Sequence, residues 1–264
     1  MSVLPAGGEL MQVIHPSTTI FSESGRRERE VLFGQTVVVT DKTPDEAGRV
    51  VGHSLGNGYA GFFDLGALDN VTEAATHVVS ARLSYALDIP DFKTQGEHFP
   101  LSLGARVFVV GTEGRWSEIS CGSLRRFVPT AHLRPVSDAE TDPVSVAERL
   151  LGTPYVWGGD SAFGIDCSGL VHAGCMACGI PCPGDSGPQE AELGVALTQG
   201  AALKRGDVLF WKGHVAWVSD SETLLHANAY HMNVAYEPIK AAIARIKAQG
   251  DGPVTARKRV GRET

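Results

Sequence analysis

No cysteine precedes Cys121, and the chain holds five in all, an odd number. That excludes the disulfide framework of a small secreted domain and points to a reducing compartment. Long apolar runs are missing too: none approaches the ~18 residues that a membrane-spanning helix needs. Met1 to Leu10 has neither a basic n-region nor an apolar h-region. No leader is therefore expected, and a cytoplasmic location is. Basic clusters are equally scarce. Lys and Arg number 23 against 30 Asp and Glu, the formal net charge is −7, and no basic run occurs before the last few residues. This excludes nucleic acid and an anionic membrane surface as main partners.

What is present suits a multi-domain globular chain. Its 264 residues are 43% hydrophobic, enough for real cores, and 31 glycines imply many turns between short strands. Short β-type runs fill residues 1–70: Val31 to Gly34, Thr36 to Thr40, Arg49 to His53 and Gly58 to Phe63. Runs at this spacing suggest a small barrel. The pattern repeats over residues 71–136, with His77 to Leu83, Leu103 to Gly111, Arg115 to Ile119 and Arg126 to Pro129. Leu103-Gly104-Ala105 takes the place of Leu32-Phe33-Gly34, and Phe127-Val128-Pro129 that of Gly61-Phe62-Phe63. Tyr85 to Pro100 has no counterpart and reads as a long loop.

Pro135 to Asp142 is a polar linker to a third domain over residues 137–264. Asp142 and Pro143 start a helix that Gly152 ends, with Val144, Ala147 and Leu151 on one face. A second helix carries Cys167 and stops near Gly179. A weak helix is expected around Glu190 to Leu197. Strands follow at Asp207 to Trp211, His214 to Ser219, Thr223 to Ala227 and Asn233 to Tyr236. Pro238 then opens a helix with Ile239, Ile243 and Ile246 on one face, and a short strand at Val254 to Arg257 closes the chain.

The chemistry centres on Gly164-Ile165-Asp166-Cys167-Ser168-Gly169-Leu170-Val171. A cysteine at a helix start feels the positive end of the dipole and the unpaired N–H groups, which favour the nucleophilic thiolate. The bland alternative is a core cysteine, but Asp166, Ser168 and Gly169 do not read as a core run. His214 follows the Lys212-Gly213 turn, where its ring can face a cleft as a base. That ring needs a partner to fix its tautomer. His226 is the candidate, with Asn228 and His231 as competitors. His172, Cys175, Cys178 and Cys182 have the look of a zinc site. A continuous helix makes tetrahedral convergence hard, so no metal and no cofactor is expected.

Four ordered motifs carry a resemblance: Pro154-Tyr155-Val156-Trp157-Gly158-Gly159, Asp166 to Val171, Gly206 to Trp211 with Gly213 to Val218, and Leu224 to Ala227. They resemble the NlpC/P60 family, papain-like cysteine peptidases that cut peptidoglycan stem peptides. The N-terminal runs are similar to bacterial SH3 domains. The resemblance implies an α+β papain-like peptidase domain preceded by two SH3-like β-barrels. It implies Cys167 as nucleophile, His214 as base, His226 as its orienting partner, and Tyr155 near the oxyanion. Members with SH3 domains ahead of the peptidase cleave γ-D-glutamyl-L-diamino acid bonds in murein fragments with a free N-terminal L-Ala. That implies Tyr59, Asp185, Ser186 and Glu30, with Asp166 and Ser168, as substrate-binding residues. The rival readings are a wall-binding SH3 protein with a vestigial peptidase, or amidase and acyl-transfer chemistry on the same triad.

Overall fold

The computed structural model describes residues 8–198 and 200–261. The chain divides into two compact units, Met1–Asp138 and Ala139–Thr264. In the N-terminal unit a seven-stranded antiparallel sheet runs in the order Arg27–Leu32, Ser17–Phe21, Ala60–Asp64, Arg49–Ser54, Thr36–Asp41, Glu9–Val13 and Leu68–Asn70. Alternation shows in Ser17–Phe21, where Thr18 and Ile20 turn inward. Ile20, Val37, Val39, Val50 and Phe63 close the core.

A second antiparallel sheet orders Leu124–Pro129, Trp116–Cys121, Arg106–Glu113, His77–Val79 and Leu133–Pro135. Its core takes in Phe33 from the first sheet's turn, beside Val107, Ile119 and Val128. The backbone explains how. Gly34 sits at φ 70°, and a Cβ there would lie 1.8 Å from the Arg106 carbonyl oxygen, so only glycine lets the two strands approach. Gly104, at φ 89°, makes the matching turn in the second sheet. The internal likeness is therefore one residue out of the expected register: Gly34 matches Gly104, not Ala105. The expected loop from Tyr85 to Pro100 is shorter than the sequence suggests, because Leu83–Ala86 and Phe99–Ser102 pair as a hairpin. Strands Glu9–Val13 and Ser17–Phe21 were not foreseen, their polar residues masking the alternation.

Among the described residues the C-terminal unit holds four α-helices, α1 (Pro143–Glu148), α2 (Cys167–Ala177), α3 (Ser186–Glu192) and α4 (Ile239–Gln249). Its antiparallel sheet orders Val195–Ala196, Ala256–Arg259, Asp207–Trp211, His214–Val218, Thr223–Asn228 and Asn233–Pro238. The amphipathic α4 sets Ile239, Ala242 and Ile246 against Leu209, Ala216, Val218 and Leu224. The α2 helix packs on the same central strands. Trp217, which alternation turns away from Ala216, donates its indole N–H to the Leu170 carbonyl at 3.5 Å. Two expectations shift here. The first helix stops at Glu148, so Leu150 is buried and Leu151 is 40% exposed. The weak helix starts four residues early, at Ser186, and Val195–Ala196 is a strand.

Candidate active site

Asp166 enters α2 in extended backbone, and its Oδ1 accepts from Gly169 N at 2.7 Å and the Ser168 hydroxyl at 2.9 Å. Its Oδ2 accepts from Gly158 N at 2.9 Å. One carboxylate thus caps the helix and pins the preceding loop. Cys167 is the first helical residue, 7% exposed, where unpaired N–H groups and the dipole favour an anion.

The loop from Pro154 to Gly159 lies along the strand that leads into α2. Ile165 N donates to Pro154 O at 3.0 Å, Val156 N to Ile165 O at 3.2 Å and Asp166 N to Gly159 O at 3.2 Å. Tyr155 is half-buried opposite Ile165, two residues from Cys167, while Trp157 is exposed. A side chain at Gly169 would meet the Gly159 carbonyl at 2.3 Å, which explains that glycine in the first turn of α2.

His214 and His226 come from neighbouring strands and meet, Nε2 of the first lying 2.9 Å from Nδ1 of the second. His226 is fully buried, and its Nε2 lies 3.0 Å from Glu237 Oε2. Arg245 of α4 forks onto that carboxylate, Nε to Oε1 at 2.9 Å and Nη2 to Oε2 at 2.7 Å. Burial, then the positive fields of His226 and Arg245, hold His214 down at about 3 against the opposing pull of Glu237. Burial likewise lowers His226. For Glu237 burial pushes upward, but the hydrogen bonds from Arg245 and His226 outweigh it and hold the group at about 2. Of the three candidate partners, His226 has its ring nitrogen within hydrogen-bond distance of His214. Asn228 instead caps the following turn, accepting from His231 N at 2.8 Å and lying 3.0 Å from His231 Nδ1.

Glu237 and Arg245 carried no signal in the sequence. A Glu at a strand end before Pro238, and an Arg on a helix eight residues later, match no motif. His226, His231 and Glu237 place three potential metal ligands within 4.8 Å of one another. Both oxygens of Glu237 are already engaged by Arg245, and the cluster reads as a hydrogen-bonded network. His172 of the zinc-like run pairs with Asp160, Nδ1 to Oδ2 at 3.1 Å. Cys182 lies beside Cys175, whose hydrogen bond, together with burial, pushes the Cys182 thiol far up.

Among the candidate substrate residues, Asp185 is exposed at the N-cap of α3 and Ser186 is half-buried as that helix begins. Gln189 ties α3 to the start of α2, its Nε2 donating to Ser168 O at 2.9 Å and Pro183 O at 2.8 Å. In the N-terminal unit Asn57 joins two others: its Nδ2 donates to Glu30 O at 3.2 Å and its Oδ1 accepts from Tyr59 N at 3.1 Å. Glu30 is buried with Arg27 at 4.0 Å, and the Arg29 guanidinium stands 5.7 Å from the Tyr59 ring centre. The hydrogen bonds of Asp166 and Ser168 give those side chains a structural part in the first turn of α2.

Comparison with known proteins points to one family. Residues 152–248 match the model of the NlpC/P60 family. Gamma-D-glutamyl-L-lysine dipeptidyl-peptidase of Bacillus cereus is 32% identical over 149 residues, covering 52% of this chain and 42% of that protein. Its namesake from Bacillus subtilis is 29% identical over 196 residues, covering 70% and 64%. The chain thus spans less than two thirds of the length of either relative. An NlpC/P60 family protein of Bacillus cereus has the same fold, with a TM-score of 0.79 at 20% identity over 96% of this chain and 99% of that one.

Proposed function

Residues 152–248 of this chain form an NlpC/P60 domain, and we propose that it is a cysteine peptidase cutting the γ-D-Glu–L-diamino acid bond of murein stem peptides. The observation that carries the reading is Cys167 at the capped start of α2, in a domain where His214 is already locked to His226 at 2.9 Å. His214 uses Nε2 for that contact, so Nδ1 is the nitrogen left for proton transfer. Cys167 gives its thiol proton to Nδ1 of His214 as its sulfur attacks the γ-carbonyl carbon. The C–N bond breaks as His214 protonates the leaving amine. Water, giving its proton to His214, then hydrolyses the thioester and restores the thiol. The backbone N–H of Cys167 and the Tyr155 hydroxyl are the donors assigned to the oxyanion.

The substrate class follows from the relatives named for γ-D-glutamyl-L-lysine cleavage. We read the two N-terminal sheets as SH3-like barrels that restrict substrates to peptides with a free N-terminal L-Ala. Asp185, with Ser186 next to it in the chain, is assigned to the ammonium group, and Tyr59 and Glu30 are assigned separately as substrate-contacting residues of the N-terminal unit. Asp166 and Ser168 take part by holding the first turn of α2. All five cysteines are thiols, which supports a reducing compartment and recycling of cytoplasmic murein peptides. Among the described residues no helix is long and apolar enough to cross a membrane.

The test compares kcat/KM on L-Ala-γ-D-Glu-diaminopimelate with its N-acetyl form, with Cys167→Ala as control. Cleavage of the γ-D-Glu bond in the free-amine peptide, abolished in Cys167→Ala, is expected. Equal rates on both peptides would remove the free-amine role. Cleavage surviving in Cys167→Ala would remove the thiol mechanism.

A further inference from the structure

We propose that Glu237, clamped by Arg245, is a positioning residue that fixes which nitrogen of His226, and through it of His214, carries the proton. The consequence for rate rests on the peptidase reading above; the protonation pattern does not. Glu237 is an ionised carboxylate and can only accept, so His226 Nε2, 3.0 Å from Oε2, must donate. A neutral His226 then has only a lone pair on Nδ1. His214 Nε2, 2.9 Å away, must donate into it. The proton on Nε2 leaves His214 Nδ1 bare, ready to accept a proton.

The opposite polarity would put protons on both Nδ1 atoms and leave no base. It would require Glu237 to carry a proton, and the two-pronged contact from Arg245, at 2.9 and 2.7 Å, opposes that. Arg245 is itself held. Its Nη1 donates to Gln249 Oε1 at 2.8 Å and its guanidinium stands 4.5 Å from the Tyr230 ring centre. No water competes at the middle link, since His226 is 0% and Glu237 only 6% exposed. The groups that act on His214 are His226 on the next strand, Glu237 on the strand beyond and Arg245 on α4, with the Trp211 ring 5.6 Å away, while His231 in the turn lies against His226. A single carboxylate therefore orders the whole relay from the side away from the reacting nitrogen.

The test is nitrogen NMR of the full-length chain labelled at histidine, at about pH 7.5, with resonances assigned from His214→Asn and His226→Asn. Wild type is expected to show both His214 and His226 protonated at Nε2 alone. Protonation of His214 at Nδ1 with Nε2 bare would overturn the proposal, whatever the substrate. The second arm measures kcat per titratable Cys167 in Glu237→Gln, in which the amide can present either an acceptor or a donor. A mixed tautomer and a fall in kcat on the order of a hundredfold, with KM little changed, are expected, the scale of losing a well-placed base. Glu237→Asp, which keeps the charge, should recover part of that loss. A merely structural role would lower the titratable fraction and leave kcat per titrated site unchanged, which would also overturn the proposal. If Glu237→Gln fails to fold, the wild-type spectrum alone decides. Wild type lacking peptidase activity but showing the Nε2 pattern would count against the reaction and support the relay.

Discussion

Cys167 and Cys121 are both buried, at 7% and 3% exposure, but only Cys167 stands at the start of a helix. Burial, with the Asp69 carboxylate adding to it, drives Cys121 up to about 12, and Cys182 is also raised. Cys167 sits where helix N–H groups favour the anion. Substoichiometric iodoacetamide at neutral pH should therefore label Cys167 first by a wide margin, as read by peptide mapping. Equal labelling of all five thiols in the folded chain would contradict that. His214 and Glu237 carry a second consequence. Each binds protons less readily folded than unfolded, His214 at about 3 instead of 6.5 and Glu237 at about 2 instead of 4.5. In these windows the unfolded chain holds more protons, so stability rises with pH. The stabilisation is complete above about 6.5 and is lost as pH falls, first through the His214 window and then through that of Glu237. Thermal melts should show Tm dropping as pH falls from about 7 to 2, with the part below about pH 4.5 reduced in Glu237→Gln; a flat profile would remove the relay from the stability account. Cys167, His214 and His226 were readable because each lies in a dense local motif. Glu237 was not, because its meaning depends on a strand pairing that places it two strands from His214.

At the scale of elements, the first turn of α2 depends on one side chain. Asp166 satisfies Gly169 N, Gly158 N and the Ser168 hydroxyl. Asp166→Ala should cost about 1–2 kcal/mol for the cap, and more for the stranded Gly158 N–H. Urea unfolding measures the loss, and the alkylation rate of Cys167 should fall with it. Asp166→Asn, which keeps one acceptor, should lose less; an equal loss would mean that charge at the dipole matters more than the cap. The strands that begin at Asp207, His214, Thr223 and Asn233 start where the sequence puts them, because they are short, mostly apolar runs bounded by glycine or polar turns. Helix ends were less legible. Nothing local says that α1 stops at Glu148, and Arg205 closes that end from far along the chain, bonding Glu148 at 2.8 Å and Asp142 at 2.7 Å. The α3 start at Ser186 was obscured by Gly187 and Pro188, although proline is well suited to a first helical turn.

At the scale of the whole molecule, each unit closes its own core. Ile20, Phe63 and Val107 belong to the N-terminal unit, and Leu209, Ala216 and Ile246 to the C-terminal one. A change at Tyr59 or Glu30 should thus leave the folding of the C-terminal unit, and the reactivity of Cys167, intact. Under the proposed function those residues act on substrate selectivity. Their contributions need not be equal. Asp185 is exposed, so its attraction to an ammonium is screened, and Asp185→Asn should narrow the preference for free over acetylated amine by only roughly fivefold. Glu30 is 6% exposed, and a charge contact made there is shielded far less by water. Glu30→Gln should narrow the preference by more than Asp185→Asn, and Tyr59→Phe, which removes only a neutral hydroxyl, by less than Glu30→Gln. The measurement is the ratio of kcat/KM on the two peptides for each variant, alongside the iodoacetamide rate at Cys167. A variant whose alkylation rate falls as far as its peptide ratio has disturbed the nucleophile, and its ratio says nothing of recognition. If Glu30→Gln and Tyr59→Phe both keep the wild-type ratio, the N-terminal unit does not read the amine, and selectivity must come from residues near α3 in the C-terminal unit alone.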